Sequence, residues 1–161
     1  MNWFNVLKWA DIWSSVTAKD RILQQGLKWE SASDKGYPRE LNDANYIVES
    51  DDETDAILGY TTIKDFGKFY FVGNGLSYES GRGVWKKLLT HRNKHYDDKP
   101  KITLLNPIPP ITVADLLPMI ERLGGEEVKT YDDVSDIMSE RRYNSWSKLP
   151  MYRYGFSGDA E

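Results

Sequence analysis

Residues 68–105 constrain the fold more than any other part of the chain. Residues 68–73 read Lys-Phe-Tyr-Phe-Val-Gly, an aromatic and β-branched run of strand length. Gly81-Arg82-Gly83 punctuates the chain, residues 84–96 carry apolar positions at helical spacing, and residues 101–105 are apolar again. Strand, glycine turn, helix and strand in that order predict a parallel pair, because parallel neighbours need a crossover that returns the chain to the same end. The turn falls at a helix N-terminus, where unpaired N–H groups and the positive end of the helix dipole can receive a phosphate.

The rest of the chain supplies elements for one sheet around that pair. At 161 residues, one domain spanning 1–161 is expected. Residues 45–49 and 56–63 read as an antiparallel hairpin around Asp51, Asp52, Glu53 and Asp55, four carboxylates without the alternation and glycine of a calcium loop, and therefore a solvated turn. Upstream, Thr17 and Asp20 look like a helix start, and the helix is expected to run to about Trp29. Residues 30–44 have turn composition, with Ser31, Ser33, Asp34, Gly36, Pro38, Asn42 and Asp43. Downstream come a helical stretch over 112–123, kinked or split at Pro118, and Gly124-Gly125 as its end. A strand over 126–131, a short helix around Val134, Ile137, Met138 and Arg141, and a last strand over 151–156 complete the order. The prediction is an α/β (α+β) domain: a single mixed sheet, mostly antiparallel with a central parallel βαβ pair, and helices on both faces.

The first thirteen residues hold Trp3, Phe4, Leu7, Trp9, Ile12 and Trp13, and Trp9, Ile12, Trp13 and Val16 share a helical face. That face is either a first helix covering the sheet or, over residues 1–13, a docking peptide in which Trp3, Phe4, Leu7, Trp9 and Trp13 reach a protein partner. Net charge of −4 gives no bulk attraction to nucleic acid or an anionic membrane. No cysteine is present, so thiolate nucleophiles and thiolate metal sites are excluded. His91 and His95 have zinc-compatible spacing but no third ligand, and with Arg92, Asn93 and Lys94 between them they read as a solvated basic helix surface; no metal is expected. Arg141, Arg142, Tyr143 and Trp146 read as an arginine–aromatic surface stack or protein-contact patch rather than a single-strand site. No signal peptide or membrane-length apolar run is seen.

From Asn45 to Tyr131 the chain resembles the GCN5-related N-acetyltransferase (GNAT) superfamily. Ser80-Gly81-Arg82-Gly83-Val84-Trp85, followed by Leu88-Leu89, corresponds to the family's phosphate turn, with Gly83 matching, Ser80 in place of arginine or glutamine, and bulky Trp85 in place of a small residue. A register shifted by two restores a second glycine but puts Lys86 and Lys87 on the buried face. The resemblance implies acetyl-coenzyme A or another acyl-coenzyme A held between the two parallel strands. Phe71, Val72 and Gly73 would pair with its pantetheine arm, Ser80, Gly81, Arg82, Gly83 and Val84 would hold its pyrophosphate, and Asn106 stands where family members often keep an asparagine. The family's proton-donating tyrosine corresponds to Ile120, in Ile120-Glu121-Arg122-Leu123-Gly124-Gly125, and no catalytic residue is assigned. The chain is similar in size and in these substitutions to small virion proteins of short-tailed bacteriophages. The expectation is an eroded acyl-coenzyme A site with a structural or protein-interaction role, in the host cytoplasm or the virion. The alternative is an active N-acetyltransferase in which an amine attacks the thioester directly.

Overall fold

The computed structural model describes residues 24–29, 32–50, 57–73, 76–77, 88, 90, 92, 94–107 and 110–154. Among these, eight strands form one sheet: β1 (Gln24–Trp29), β2 (Ala44–Ser50), β3 (Ile57–Asp65), β4 (Tyr70–Val72), β5 (Leu76–Ser77), β6 (Lys101–Leu104), β7 (Glu126–Glu127) and β8 (Met151–Tyr154). Their order is β1-β2-β3-β4-β6-β8-β7, and β5 continues the pairing of β3. Only β4 and β6 run parallel, so the expected single mixed sheet with its central parallel pair is present.

Alternation along the strands builds two cores, one per face. Phe71, Ile102 and Leu104 point to one face, where Ala32, Tyr37, Leu41, Tyr46, Trp146 and Met151 join them. Tyr70, Val72 and Leu105 point to the other, with Ile63, Leu88, Ile120 and Tyr154. Helix α1 (Val113–Arg122) covers the second face through Ile120, and helix α2 (Glu140–Trp146) covers the first through Trp146. Residues 88, 90, 92, 94 and 95 are helical, as expected of the crossover, and Leu88 is fully buried.

Several expectations are corrected. Gln24–Trp29 is a strand and not the end of a helix, because its backbone finds partners on β2 at Tyr46, Asn45 and Ala44, and tertiary pairing overrides a weak local preference. Residues 32–44 are more than a turn-rich loop. Two turns of 3-10 helix, Ser33–Lys35 and Arg39–Leu41, place Ala32, Tyr37 and Leu41 in the core. Helix α1 runs unbroken through Pro118. Proline there removes only the bond to the Ala114 carbonyl, and both residues are exposed, so water can satisfy that carbonyl. A capping box also starts the helix, with Asp115 N–H donating to Thr112 Oγ1 and Thr112 N–H to Asp115 Oδ2. The strand after it is only Glu126–Glu127, and the last helix begins at Glu140, after turns that carry Val134, Ile137 and Met138 inward.

Arg92 is not part of a solvated surface. It lies one turn after Leu88 on the buried stripe and is 4% exposed, with Lys101, at 3%, beside it at the start of β6. Burial lowers both cations' pKa values, Arg92 to about 10. Trp146 is likewise buried and Arg142 half-buried, as described below, while Arg141 is exposed.

Candidate functional site

The candidate site lies at the C-terminal ends of β4 and β6. Residue-for-residue pairing between them consists of Tyr70↔Lys101 and Phe71↔Ile102. Beyond it, β6 stays with β8 through Leu104↔Met151, and Leu105 N–H donates to Pro150 O at 2.9 Å. The other strand stays with β3. Between the pairs Ile63↔Val72 and Tyr60↔Leu76, β3 spends two residues, Thr61 and Thr62, against the three chain positions 73–75. One extra residue is a β-bulge, which bends its strand and increases its twist. Beyond Phe71↔Ile102 no further pair between these two strands is found among the described residues, so the C-terminal ends of the parallel pair are where an added backbone could dock.

Gly73 is fixed on both sides. Its N–H donates to Thr62 O at 2.7 Å, and its carbonyl accepts from Thr61 Oγ1 at 2.7 Å. Phe71, Val72 and Gly73 are all buried. Asn106, two residues past β6, donates from Nδ2 to the carbonyl of Lys35. The contact requires glycine next door, since Gly36 has φ +88° and a Cβ there would lie 3.0 Å from Asn106 Nδ2. Asn106 thus ties the 32–41 segment to the end of β6.

That segment is anchored on its other side by Glu40. Arg142 donates from Nε and Nη2 to Glu40 Oε2 at 3.0 and 2.6 Å, and Trp146 Nε1 donates to Glu40 Oε1 at 3.1 Å. Lys64 Nζ donates to the Glu40 carbonyl at 2.6 Å. The Arg142 guanidinium lies 4.6 Å from the centre of the Phe66 ring, so in place of the expected surface stack this arginine–aromatic contact ties α2 to the sheet.

Burial, then the neighbouring Tyr37 phenol, pushes the Tyr60 hydroxyl well above its ordinary pKa, so Tyr60 stays protonated at neutral pH. Burial lowers the pKa of the Lys35 ammonium. Ile120 is 2% exposed and packs in the second core, where it has no proton to give. Gly125 beside it has no room for a side chain, because a Cβ there would lie 2.5 Å from Ile120 Cγ2 and 2.7 Å from Tyr154 Cε1.

Ser80, Gly81, Arg82, Gly83, Val84 and Trp85 lie outside the described residues, as do Trp3, Phe4, Leu7, Trp9 and Trp13, the acidic turn at 51–55, and His91. The structure therefore brings Phe71, Val72, Gly73 and Asn106 to one end of the parallel pair. Among the described residues, no group of three or more His, Cys, Asp or Glu side chains could hold a metal ion, and no helix is long and apolar enough to cross a membrane. Thr61 and Thr62 were not singled out from sequence. Their signal there is only that of two β-branched residues in a strand.

No protein-family model matches the chain, and no curated protein matches its sequence. Among solved structures it is similar to Tetrahymena GCN5, with a TM-score of 0.51 and 11% identity over 78% of this chain and 81% of that one. It is also similar to a Corynebacterium glutamicum structure described as histone acetyltransferase HPA2 and related acetyltransferase, with a TM-score of 0.46 and 16% identity over 97% and 93% of the two chains. For N-acetylglutamate synthase from Neisseria gonorrhoeae, complexed with coenzyme A and N-acetyl-glutamate, the TM-score is 0.45 and identity 12%, over 68% of this chain but 25% of that one. The likeness to the Tetrahymena protein shows the GNAT acetyltransferase fold, and at this identity the fold alone.

Proposed function

We propose that the chain binds acyl-coenzyme A at the C-terminal ends of β4 and β6, and that it keeps this frame without the family's helix acid, in a structural or protein-interaction role. One observation carries the binding reading: pairing in the only parallel pair of the described sheet ends at Phe71↔Ile102, next to the chain ends that Val72, Gly73 and Asn106 occupy. A pantetheine arm can add to such an edge through backbone hydrogen bonds, as a strand does. The loss of the acid is read from Ile120, a buried aliphatic side chain at the position of the family's tyrosine. Viral origin and partner contacts through Trp3, Phe4, Leu7, Trp9 and Trp13 belong to the same reading. Fold alone does not decide activity. A second reading is an N-acyltransferase in which an amine attacks the thioester directly.

Titration with acetyl-coenzyme A tests the binding step. Ligand at 100 times its dissociation constant stabilises the folded state by about 2.7 kcal/mol, a thermal shift that is easily read. A shift that Gly83→Asp abolishes supports the phosphate turn as well. No shift at millimolar ligand overturns the reading. Release of free thiol in the presence of a panel of amines separates transfer from binding alone.

A further inference from the structure

Two buried cations meet at the start of β6, at the end of the parallel pair opposite Gly73 and Asn106. Lys101 pairs with Tyr70 on β4 and with Tyr154 on β8. Lateral neighbours in a sheet share a face, so Lys101 lies with Tyr70 and Tyr154 on the side of the second core. Arg92 reaches the same place from the crossover helix, one turn after Leu88, and acts electrostatically on both Lys101 and Tyr154. Arg92 is 4% exposed and its Nε has no hydrogen-bond partner, while Lys101 is 3% exposed. No ion pair joins either cation to a carboxylate among the described residues. The charges of Asp97 and Asp98 favour the Lys101 ammonium, but Asp98 already accepts from the Tyr70 hydroxyl at 2.7 Å. Arg92, lowered only to about 10, stays charged at neutral pH. Adjacent buried charges without a counter-ion destabilise a fold, and methionine at either position would avoid that cost.

We infer that Arg92 and Lys101, with the Tyr154 hydroxyl, bind a phosphate group through its anionic oxygens, at a site separate from that of acyl-coenzyme A and independent of it. Guanidinium and ammonium groups only donate, so their partner must bring acceptors. A phosphate dianion brings several acceptor oxygens and enough charge for two cations, whereas one carboxylate or chloride ion leaves a positive charge buried. Burial pushes the Tyr154 phenol up to about 12, so at neutral pH it adds a donor and no charge. The way in lies at the rim of the sheet. β6 begins at Lys101 itself, Asp97 and Asp98 just before it are exposed, and Lys99 and Pro100 are half-buried, so a single short loop separates the two cations from solvent.

Thermal melts of the full chain at neutral pH, with inorganic phosphate or with sodium chloride at the same ionic strength, test the assignment on wild type, Arg92→Met and Lys101→Met. Phosphate also strengthens burial in proteins that do not bind it, so the variants decide. Wild type is expected to melt several degrees higher in about 10 mM phosphate than in matched chloride. Each variant is expected to lose that excess, and without phosphate to melt no lower than wild type, so that stability and binding move in opposite directions. Calorimetric titration with phosphate is expected to show binding weakened about tenfold or more by either substitution. Glycerol 3-phosphate tells the two sources of the group apart: tighter binding than inorganic phosphate identifies a phosphomonoester, and weaker binding the free ion. Arg92→Lys, which keeps the charge but not the fork of donors, serves the same comparison if the methionine variants fold poorly, and it too is expected to weaken phosphate. Equal gains from phosphate and chloride in wild type, or an excess that either methionine variant keeps, overturn the assignment.

Discussion

Replacing Glu40 measures how the 32–41 segment is held against the sheet. Its carboxylate accepts from Trp146, which is fully buried, and from Arg142, whose side chain is 28% exposed. Glu40→Ala leaves the Trp146 N–H buried without an acceptor, which costs about 1–3 kcal/mol. Loss of the half-exposed ion pair adds about 0.2–1 kcal/mol. The sum, about 1–4 kcal/mol, is expected as a lower urea midpoint at pH 7 with an unchanged denaturant slope. Glu40→Gln keeps an oxygen for Trp146 and is expected to cost about 1 kcal/mol. Acid should erase that second difference. Burial alone would raise the Glu40 pKa, but the Arg142 hydrogen bond and charge, with Trp146 and Lys64, hold it below its ordinary value. A carboxylate with a lowered native pKa contributes its stability above the unfolded value, about 4.3, and loses it as pH falls through the native value. The gap between wild type and Glu40→Gln should therefore close below pH 4. A cost under about 0.5 kcal/mol for Glu40→Ala, or a gap to Glu40→Gln that does not shrink as pH falls below about 4, would refute the strut.

Two further substitutions probe the second face. Gly125→Ala forces a Cβ to within 2.5 Å of Ile120 Cγ2 and is expected to cost about 1–3 kcal/mol, seen as a melting temperature lower by several degrees; an unchanged melt would mean that Ile120 and Tyr154 give way freely. Arg92→Met removes a buried cation whose Nε has no hydrogen-bond partner and which lies beside Lys101, and it is expected to raise the urea midpoint; a fall of more than about 1 kcal/mol would show that the guanidinium is satisfied in the folded state.

The sequence by itself determined the sheet's centre. Phe69, Phe71, Ile102 and Leu104 are apolar or aromatic at strand spacing, and the glycine turn and helical spacing between them require a crossover, so the parallel pair follows from local chemistry. The hairpin of β2 and β3 and the end of α1 at Gly124, with φ +79°, were legible for the same reason. Tertiary structure alone decided what depends on a distant partner. Gln24–Trp29 is a strand because β2 offers it hydrogen bonds, and Arg142 is a strut because Glu40, 102 positions away, folds back to meet it. The site is of that second kind. A bulge exists only as a count against the partner strand, and the Arg92 guanidinium lacks a partner only once the chain has folded around it. Sequence spacing reports which faces are apolar, since that depends on each residue alone. Registers, buried partners and unpaired cations depend on pairs of residues, and only the folded chain sets those pairs.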